Sequence, residues 1–336
     1  MITTPNRHVR RRLAVGGAVI GLAAAALAAS GHAAAAGDTA SVANDTLTVS
    51  TGSGADRLAL RLQAAAPTQL EVDFGDDGTA DETFDRTTFS RIAVSLGSGN
   101  DTFRVDQVNG AFTDEALVVD AGSGNDVMNG GDGRETFIGA SGSDAVDGNR
   151  GDDVGELGSG NDSFRWDPGD GSDVVEGASG TDTLDFNGAA AAEKMSLSAN
   201  GRRTLFLRDV ANIRMDMDDV EQLDLTALGA ADTMVVGDMS GTDFRLANID
   251  LSGPAGGGDA AADAVTVEGT PRADRVSVRT DGAGVTVDGL RTTTRITGSE
   301  TIDRLQVDGL AGDDTIDVAP DVATRIQTVV DLGADD

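Results

Sequence analysis

Seven acidic residues fall at near-fixed intervals in the middle of this 336-residue chain. Asp126, Glu135, Asp144, Asp153, Asp162, Asp173 and Asp182 are separated by 9, 9, 9, 9, 11 and 9 positions. Each closes a six-residue segment rich in glycine, and two positions beyond it usually stands an apolar residue. The first segment reads Ala121-Gly122-Ser123-Gly124-Asn125-Asp126, followed by Val127, Met128 and Asn129. Glycine recurs at the second or fourth place as Gly122, Gly124, Gly131, Gly133, Gly142, Gly151, Gly158, Gly160, Gly169, Gly171 and Gly180. The apolar places hold Met128, Phe137, Val146, Phe164, Val175 and Leu184, and Gly155 breaks the series. Seven copies of a nonapeptide in one stretch are the signature of a repeat architecture.

The chemistry such a unit can do is cation binding. Glycines permit a tight loop whose carbonyl oxygens turn inward where a Cβ would obstruct them. The acid adds a carboxylate, and Ca²⁺ takes six to eight hard oxygen ligands in flexible geometry. The three remaining residues form a short strand with the apolar side chain inward. The competing reading is a metal-free glycine-rich solenoid in which aspartates merely cap turns. It leaves the charge uncompensated. Residues 37–336 hold 21 basic against 57 acidic side chains, a net charge of −36. So acidic a chain repels nucleic acid and anionic lipid and resists its own collapse.

What the chain lacks narrows the function further. It has no cysteine, its two histidines are His8 and His32, and Lys194 is its one lysine. A histidine-based triad, a histidine-ligated zinc site and a cysteine nucleophile are thereby excluded from residues 37–336. Arg7, Arg10, Arg11 and Arg12 precede an apolar stretch, Leu13 to Ala29, and small residues follow through Ala36. That order is the layout of a cleaved secretory signal over 1–36, with the arginine cluster also suiting a twin-arginine exporter. No membrane span is expected once it is removed.

The positioning elements read as strands. Thr46 to Val49, Ala93 to Leu96, Val265 to Val267 and Gly284 to Val287 alternate apolar and polar residues. No apolar 3.6-residue periodicity of useful length appears after the leader, and turn residues come every eight to twelve positions. The expected fold is all-β, with a β-rich segment over 37–95, a repeat region over 96–187 forming a central parallel β-roll, and a β-rich region with degenerate repeats over 188–336.

The nonapeptides resemble the hemolysin-type (RTX) calcium-binding repeats, closely over about residues 121–187. Resemblance implies a parallel β-roll in which two nonapeptides make one turn, so that loops two repeats apart stack and share an ion. Carried onto this chain, Asp126, Asp144, Asp162 and Asp182 form one column of ligands, and Glu135, Asp153 and Asp173 the opposite one. Asp101 and Asp314, in looser copies, join the candidate ligands. Asp56, Asp232 and Asp274 read as turn residues, because no second copy lies two repeats away. Glu135 is longer than aspartate and implies a distorted site. The two extra residues at Trp166 and Asp167 are expected to bulge out.

Other motifs read more plainly. Asp73 to Asp81 imitates an EF-hand loop but has Gly75 and Phe84 where the third and twelfth ligands belong, so it reads as a hairpin turn. Trp166 reads as packing rather than a sugar platform, and Arg202, Arg203 and Arg208 as partners of acids on a solvated face. The function expected is a secreted calcium-binding structural or surface protein, with calcium ions and a cell-surface or matrix polysaccharide as partners. The alternative is a calcium-stabilised extracellular enzyme or adhesin acting on polysaccharide. The Gly-Ser-Gly-Asn-Asp copies at 97, 122 and 158 are not consecutive, so no flat Ser/Asn array is expected of them.

Overall fold

Alternation along the sequence becomes alternation across a sheet, because successive Cβ atoms leave a strand on opposite faces. Thr46–Ser50 buries Leu47 and Val49, and Ala264–Glu268 buries Val265 and Val267. The computed structural model describes residues 37–282 and 284–333. The leader expected over 1–36 lies outside the described residues, as do Asp335 and Asp336 at the end of the chain. Among the described residues there is no α-helix; strands are joined by turns and three short 3₁₀ segments.

The strands form two sheets of fourteen each among the described residues, facing one another across a single apolar core. In the central part the chain passes from one sheet to the other at every step. Arg91–Ser95 pairs in parallel with Ala116–Asp120 in the first sheet, and Thr102–Asp106 with Val127–Asn129 in the second. Two strands and two loops therefore complete one turn. Val127, Ala145 and Ser163 stand in register in the second sheet, as do Thr136 and Val154 in the first, each partner two repeats along the chain. This is a parallel β-roll, as the repeat implied.

The roll has a waist. Val127–Asn129 and Ala145–Asp147 are three-residue strands with one core residue each, Met128 and Val146. On one side Arg57–Gln63 and Thr102–Asp106 supply Leu58, Leu60, Phe103 and Val105 to the core. On the other, Thr183–Asn187 and Gln222–Thr226 supply Leu184, Phe186, Leu223 and Leu225. In the first sheet the narrowing happens at Glu135, a carboxylate in register with core-facing Leu117. Gly155 breaks the apolar series for a steric reason. A Cβ there would lie 2.9 Å from the Phe164 ring, which fills the space instead.

Trp166, the first of the two extra residues, does not bulge out; Asp167 opens the turn that follows. Ser163–Trp166 continues its strand, with Trp166 in register with Phe186. Trp166 is fully buried, stacks on Phe186 with centroids 4.1 Å apart, and donates from Nε1 to the Gly171 carbonyl at 2.9 Å. The slip is absorbed by widening the roll. Asp153 and Asp173, like Asp162 and Asp182, still occupy successive turns, although two more positions separate them than separate Asp126 from Asp144.

Both sheets run on past the repeats. Ser95 pairs with Asp120, and Asn187 with Thr226. Beyond residue 187 the turns lengthen because antiparallel strands are inserted, among them Lys194–Asn200 and Arg203–Arg208. Near the start, Ala66–Phe74 folds back on Arg57–Gln63 and pairs with Glu82–Asp85. The Asp73 to Asp81 segment is the hairpin turn expected. Asp73 is fully buried, pairs with Arg61 at 2.5 Å, and accepts the N–H groups of Asp77 and Gly78.

Candidate metal centre: carboxylate ladders in the turns

Each repeat acid sits at the mouth of its strand, where the loop enters the sheet. Stacking one turn on the next brings the acids into line. The backbone N–H of Asp126 donates to Asp144 Oδ1 at 2.8 Å, that of Asp144 to Asp162 at 2.7 Å, and that of Asp162 to Asp182 at 2.9 Å. On the opposite edge Glu135 N–H donates to Asp153 Oδ1 at 2.7 Å and Asp153 N–H to Asp173 at 2.8 Å. The two columns are those implied by a two-repeat turn, and no such bond crosses from Asp144 to Asp153.

The loops above these acids stack closely enough that only glycine fits. A Cβ on Gly142 would lie 1.6 Å from the Gly124 carbonyl oxygen, and one on Gly160 1.5 Å from that of Gly142. Gly122, Gly124, Gly142, Gly151, Gly158, Gly160, Gly169 and Gly180 also hold positive φ. Gly131, Gly133 and Gly171 do not; they are required by space, a Cβ on Gly133 coming 2.6 Å from Glu135 Oε1 and one on Gly171 1.3 Å from the Gly151 carbonyl oxygen. The loops thus present rows of carbonyl oxygens beside rows of carboxylates.

The carboxylates are buried but only half satisfied. Oδ1 spans to the neighbouring turn, whereas Oδ2 of Asp101, Asp126, Asp144, Asp153, Asp162 and Asp182 is buried with no hydrogen-bond partner. Buried ionised oxygen without a partner is costly. Two arginines of this stretch pair elsewhere, Arg150 with Asp132 at 3.8 Å and Arg165 with Asp167 at 3.0 Å. Burial, with a smaller push from neighbouring acids, therefore raises Asp144 to about 6, Asp173, Asp182 and Glu135 to about 7, and Asp153 to about 9. Such groups either keep a proton or hold a cation.

The donor set suits Ca²⁺. It consists of carboxylate and carbonyl oxygens, the hard ligands that Ca²⁺ takes. Among the described residues no three or more His, Cys, Asp or Glu side chains come together around one point. An ion here would take carboxylates from successive turns and the balance of its ligands from backbone carbonyls. Glu135 departs as its length suggested. Its Oε2 turns back to the N–H of Gly131 in its own loop at 3.0 Å rather than reaching an earlier turn.

The ladders extend beyond the nonapeptides. Asp56 N–H donates to Asp101 Oδ1, and Asp101 N–H to Asp126 Oδ1, both at 2.7 Å. Asp182 N–H donates to Glu221 Oε2 at 2.8 Å. Asp274 N–H donates to Asp314 Oδ1 at 2.7 Å. A further ladder joins Glu193, Asp232, Asp263 and Asp303, with bonds of 2.8, 2.8 and 3.0 Å. The two-repeat spacing criterion therefore failed for Asp56, Asp232 and Asp274: inserted strands and long loops lengthen a turn in sequence while leaving its acids adjacent in space. Glu193, Glu221, Asp263 and Asp303 were missed for the same reason. The signal that finds them is an acid, any residue, then an apolar one, as in Asp263-Ala-Val265 and Asp303-Arg-Leu305.

Two more expectations are corrected. Arg208 is not on a solvated face; it is buried against Glu193 as an ion pair, with its guanidinium 5.0 Å from the Trp166 ring. Arg203 does pair with acids, Asp216 at 2.5 Å and Glu176 at 2.9 Å. The Gly-Ser-Gly-Asn-Asp copies at 97 and 122 do fall on consecutive turns, and that at 158 one turn further on, since Ser53, Ser98, Ser123, Ser141 and Ser159 pair in one parallel row. Ser141 supplies the rung that the sequence spacing hid.

A parallel roll with stacked, cation-ready carboxylates in its turns defines the class of this protein. The RTX calcium-binding nonapeptide repeat is the family whose model it matches, in four copies over residues 118–134, 129–164 and 169–188. Over those residues the chain carries repeats similar to the RTX calcium-binding type. No curated protein matches it at a significant level.

Proposed function

We propose that this is an exported protein whose roll folds on, and is held rigid by, Ca²⁺ shared between successive turns, and that its role is structural rather than catalytic. One observation carries the reading: buried carboxylates stacked one per turn along each edge, all but Glu135 with one oxygen bonded to the neighbouring turn and, in most, the other without a partner. The waist has one core residue per strand and a large excess of negative charge around it. Without a cation it buries too little apolar surface to offset chain entropy and self-repulsion. Metal-binding energy then becomes folding energy. Extracellular calcium is the natural source, in keeping with the leader-like residues 1–36.

Calcium titration of residues 37–336, followed by circular dichroism and calorimetry, tests this. Millimolar Ca²⁺ should raise the β signal lost in EDTA, and Mg²⁺ should substitute poorly because it demands octahedral ligands and sheds water reluctantly. Identical spectra in EDTA and calcium would remove the reading. Mass spectrometry of the exported form should place its first residue between Ala34 and Asp38; a retained Met1 would remove the leader. A turnover screen on acidic polysaccharides separates the structural role from an enzymatic one.

A further inference from the structure

The geometry points to a second calcium-binding column, built by Asp232, Asp263 and Asp303 with the loop acids Asp259 and Glu300, in a region that holds no glycine nonapeptide. This goes beyond the repeat-bound ions, which could be present with this column empty.

The inner acids are almost fully buried: Asp232 and Asp263 are each 3% exposed and Asp303 1%. They lie on the edge of the roll that carries Glu135, Asp153 and Asp173, each entering a strand of the first sheet. An outer ladder runs beside the inner one. Ala230 N–H donates to Asp259 Oδ2 and Ala260 N–H to Glu300 Oε2, both at 2.7 Å, while Glu300 N–H donates to Asp303 Oδ2 at 2.6 Å. Five carboxylates are thereby strung along three successive turns, with no three of them around one point. Asp232 Oδ2 is buried and has no hydrogen-bond partner, the same condition as in the repeat acids.

The contrast with Glu193, at the head of the same ladder, argues for what is missing. Glu193 is buried against Arg208, a cation supplied by the chain itself. Among the described residues none of the other five acids forms an ion pair with arginine or lysine. Desolvating several carboxylates together without a counter-ion is strongly unfavourable. Glycine placement follows the pattern of the repeats. A Cβ on Gly258 would lie 2.0 Å from the Glu300 carboxyl carbon, just as one on Gly139 would lie 2.6 Å from Asp144 Oδ2. The backbone has been cleared to seat a carboxylate. Carboxylates and main-chain carbonyls, with no nitrogen or sulfur ligand, select a hard divalent cation.

The test is native mass spectrometry of residues 37–336 with calcium alone, paired with hydrogen exchange in calcium and in EDTA. The double variant Asp232→Asn/Asp263→Asn keeps an acceptor for each ladder bond and removes two charges. It should bind at least one Ca²⁺ fewer than the parent, and calcium-dependent protection at 229–233 and 258–264 should fall while that at 121–187 remains. An unchanged ion count with native circular dichroism would overturn the proposal. Should the variant not fold, the parent decides. Calcium-dependent protection at 121–187 without any at 229–233, 258–264 and 299–304 would overturn the second column alone. No response in either region would overturn it together with the calcium reading of the repeats.

Discussion

The nonapeptide turns and the turns after residue 187 use the same rung but support it differently. In the first region a rung recurs with every second repeat, its loop is stacked glycine, and a strand such as Ala145–Asp147 contributes one core side chain. In the second, the laddered acids Asp232, Asp263 and Asp303 lie much farther apart in sequence, and strands such as Ala264–Glu268 or Arg304–Asp308 contribute two. The second also holds its own counter-charge at one point, Arg208 on Glu193, beside the stacked rings of Trp166 and Phe186 and the tilted ring of Phe206. Glycine is therefore a device for packing short turns. The rung itself needs only an acid at the mouth of a strand and an apolar residue two positions on. Hydrophobic burial scales with apolar area, so the waist depends on cations more than the wider region does.

Chelation should break the comparison open most widely. In EDTA, hydrogen exchange over 121–187 should approach that of an unfolded chain, while Arg203–Arg208 and Gln222–Thr226 keep measurable protection. Uniform loss along the chain would mean that the wide turns have no independent core.

Glycine substitutions come next. Gly142→Ala places a Cβ on a neighbouring carbonyl at a positive φ and should destabilise the calcium-bound roll by at least about 3 kcal/mol. Gly256→Ala, also at positive φ but in open space, should cost only about 1 kcal/mol. Equal melting-temperature losses would show that stacking in the nonapeptide loops is looser than described.

Acidity should act in opposite senses with and without metal. The repeat acids are raised by burial, Asp144 to about 6, Asp173 and Asp182 to about 7, Asp153 to about 9. The metal-free folded state then binds more protons than the unfolded chain between roughly pH 4 and 9, so its stability falls as pH rises through that window. Calcium competes with those protons, and its contribution grows over the same range. In EDTA the melting temperature should be higher at pH 5 than at pH 8; in saturating calcium that order should vanish or reverse. A metal-free protein that gains stability from pH 5 to 8 contradicts the burial of these acids.

Much of this was legible in the sequence where spacing is regular. Two columns, a two-repeat turn and buried positions such as Met128 and Phe137 follow from a nonapeptide period. What escaped was whatever interrupted it. Trp166 looked like a bulge because the longer interval before Asp173 breaks the count, whereas a wider core simply accepts it beside Phe186. Asp232 and Asp263 looked isolated because sequence distance does not measure the distance between turns once strands are inserted. Arg208 looked solvated because charged side chains usually are, and nothing local announces that Glu193 is buried opposite it.

The sharing of ions between successive turns is tested most directly by a double-mutant cycle read as calcium-dependent stability. Asp144→Ala, Asp153→Ala and Asp162→Ala are compared singly and in pairs. Asp144 and Asp162 belong to one ladder and should be strongly non-additive, whereas Asp144 and Asp153 lie on opposite edges and should be close to additive. Stronger coupling of Asp144 to Asp153 than to Asp162 would contradict the stacking of two repeats per turn, and with it the shared ions.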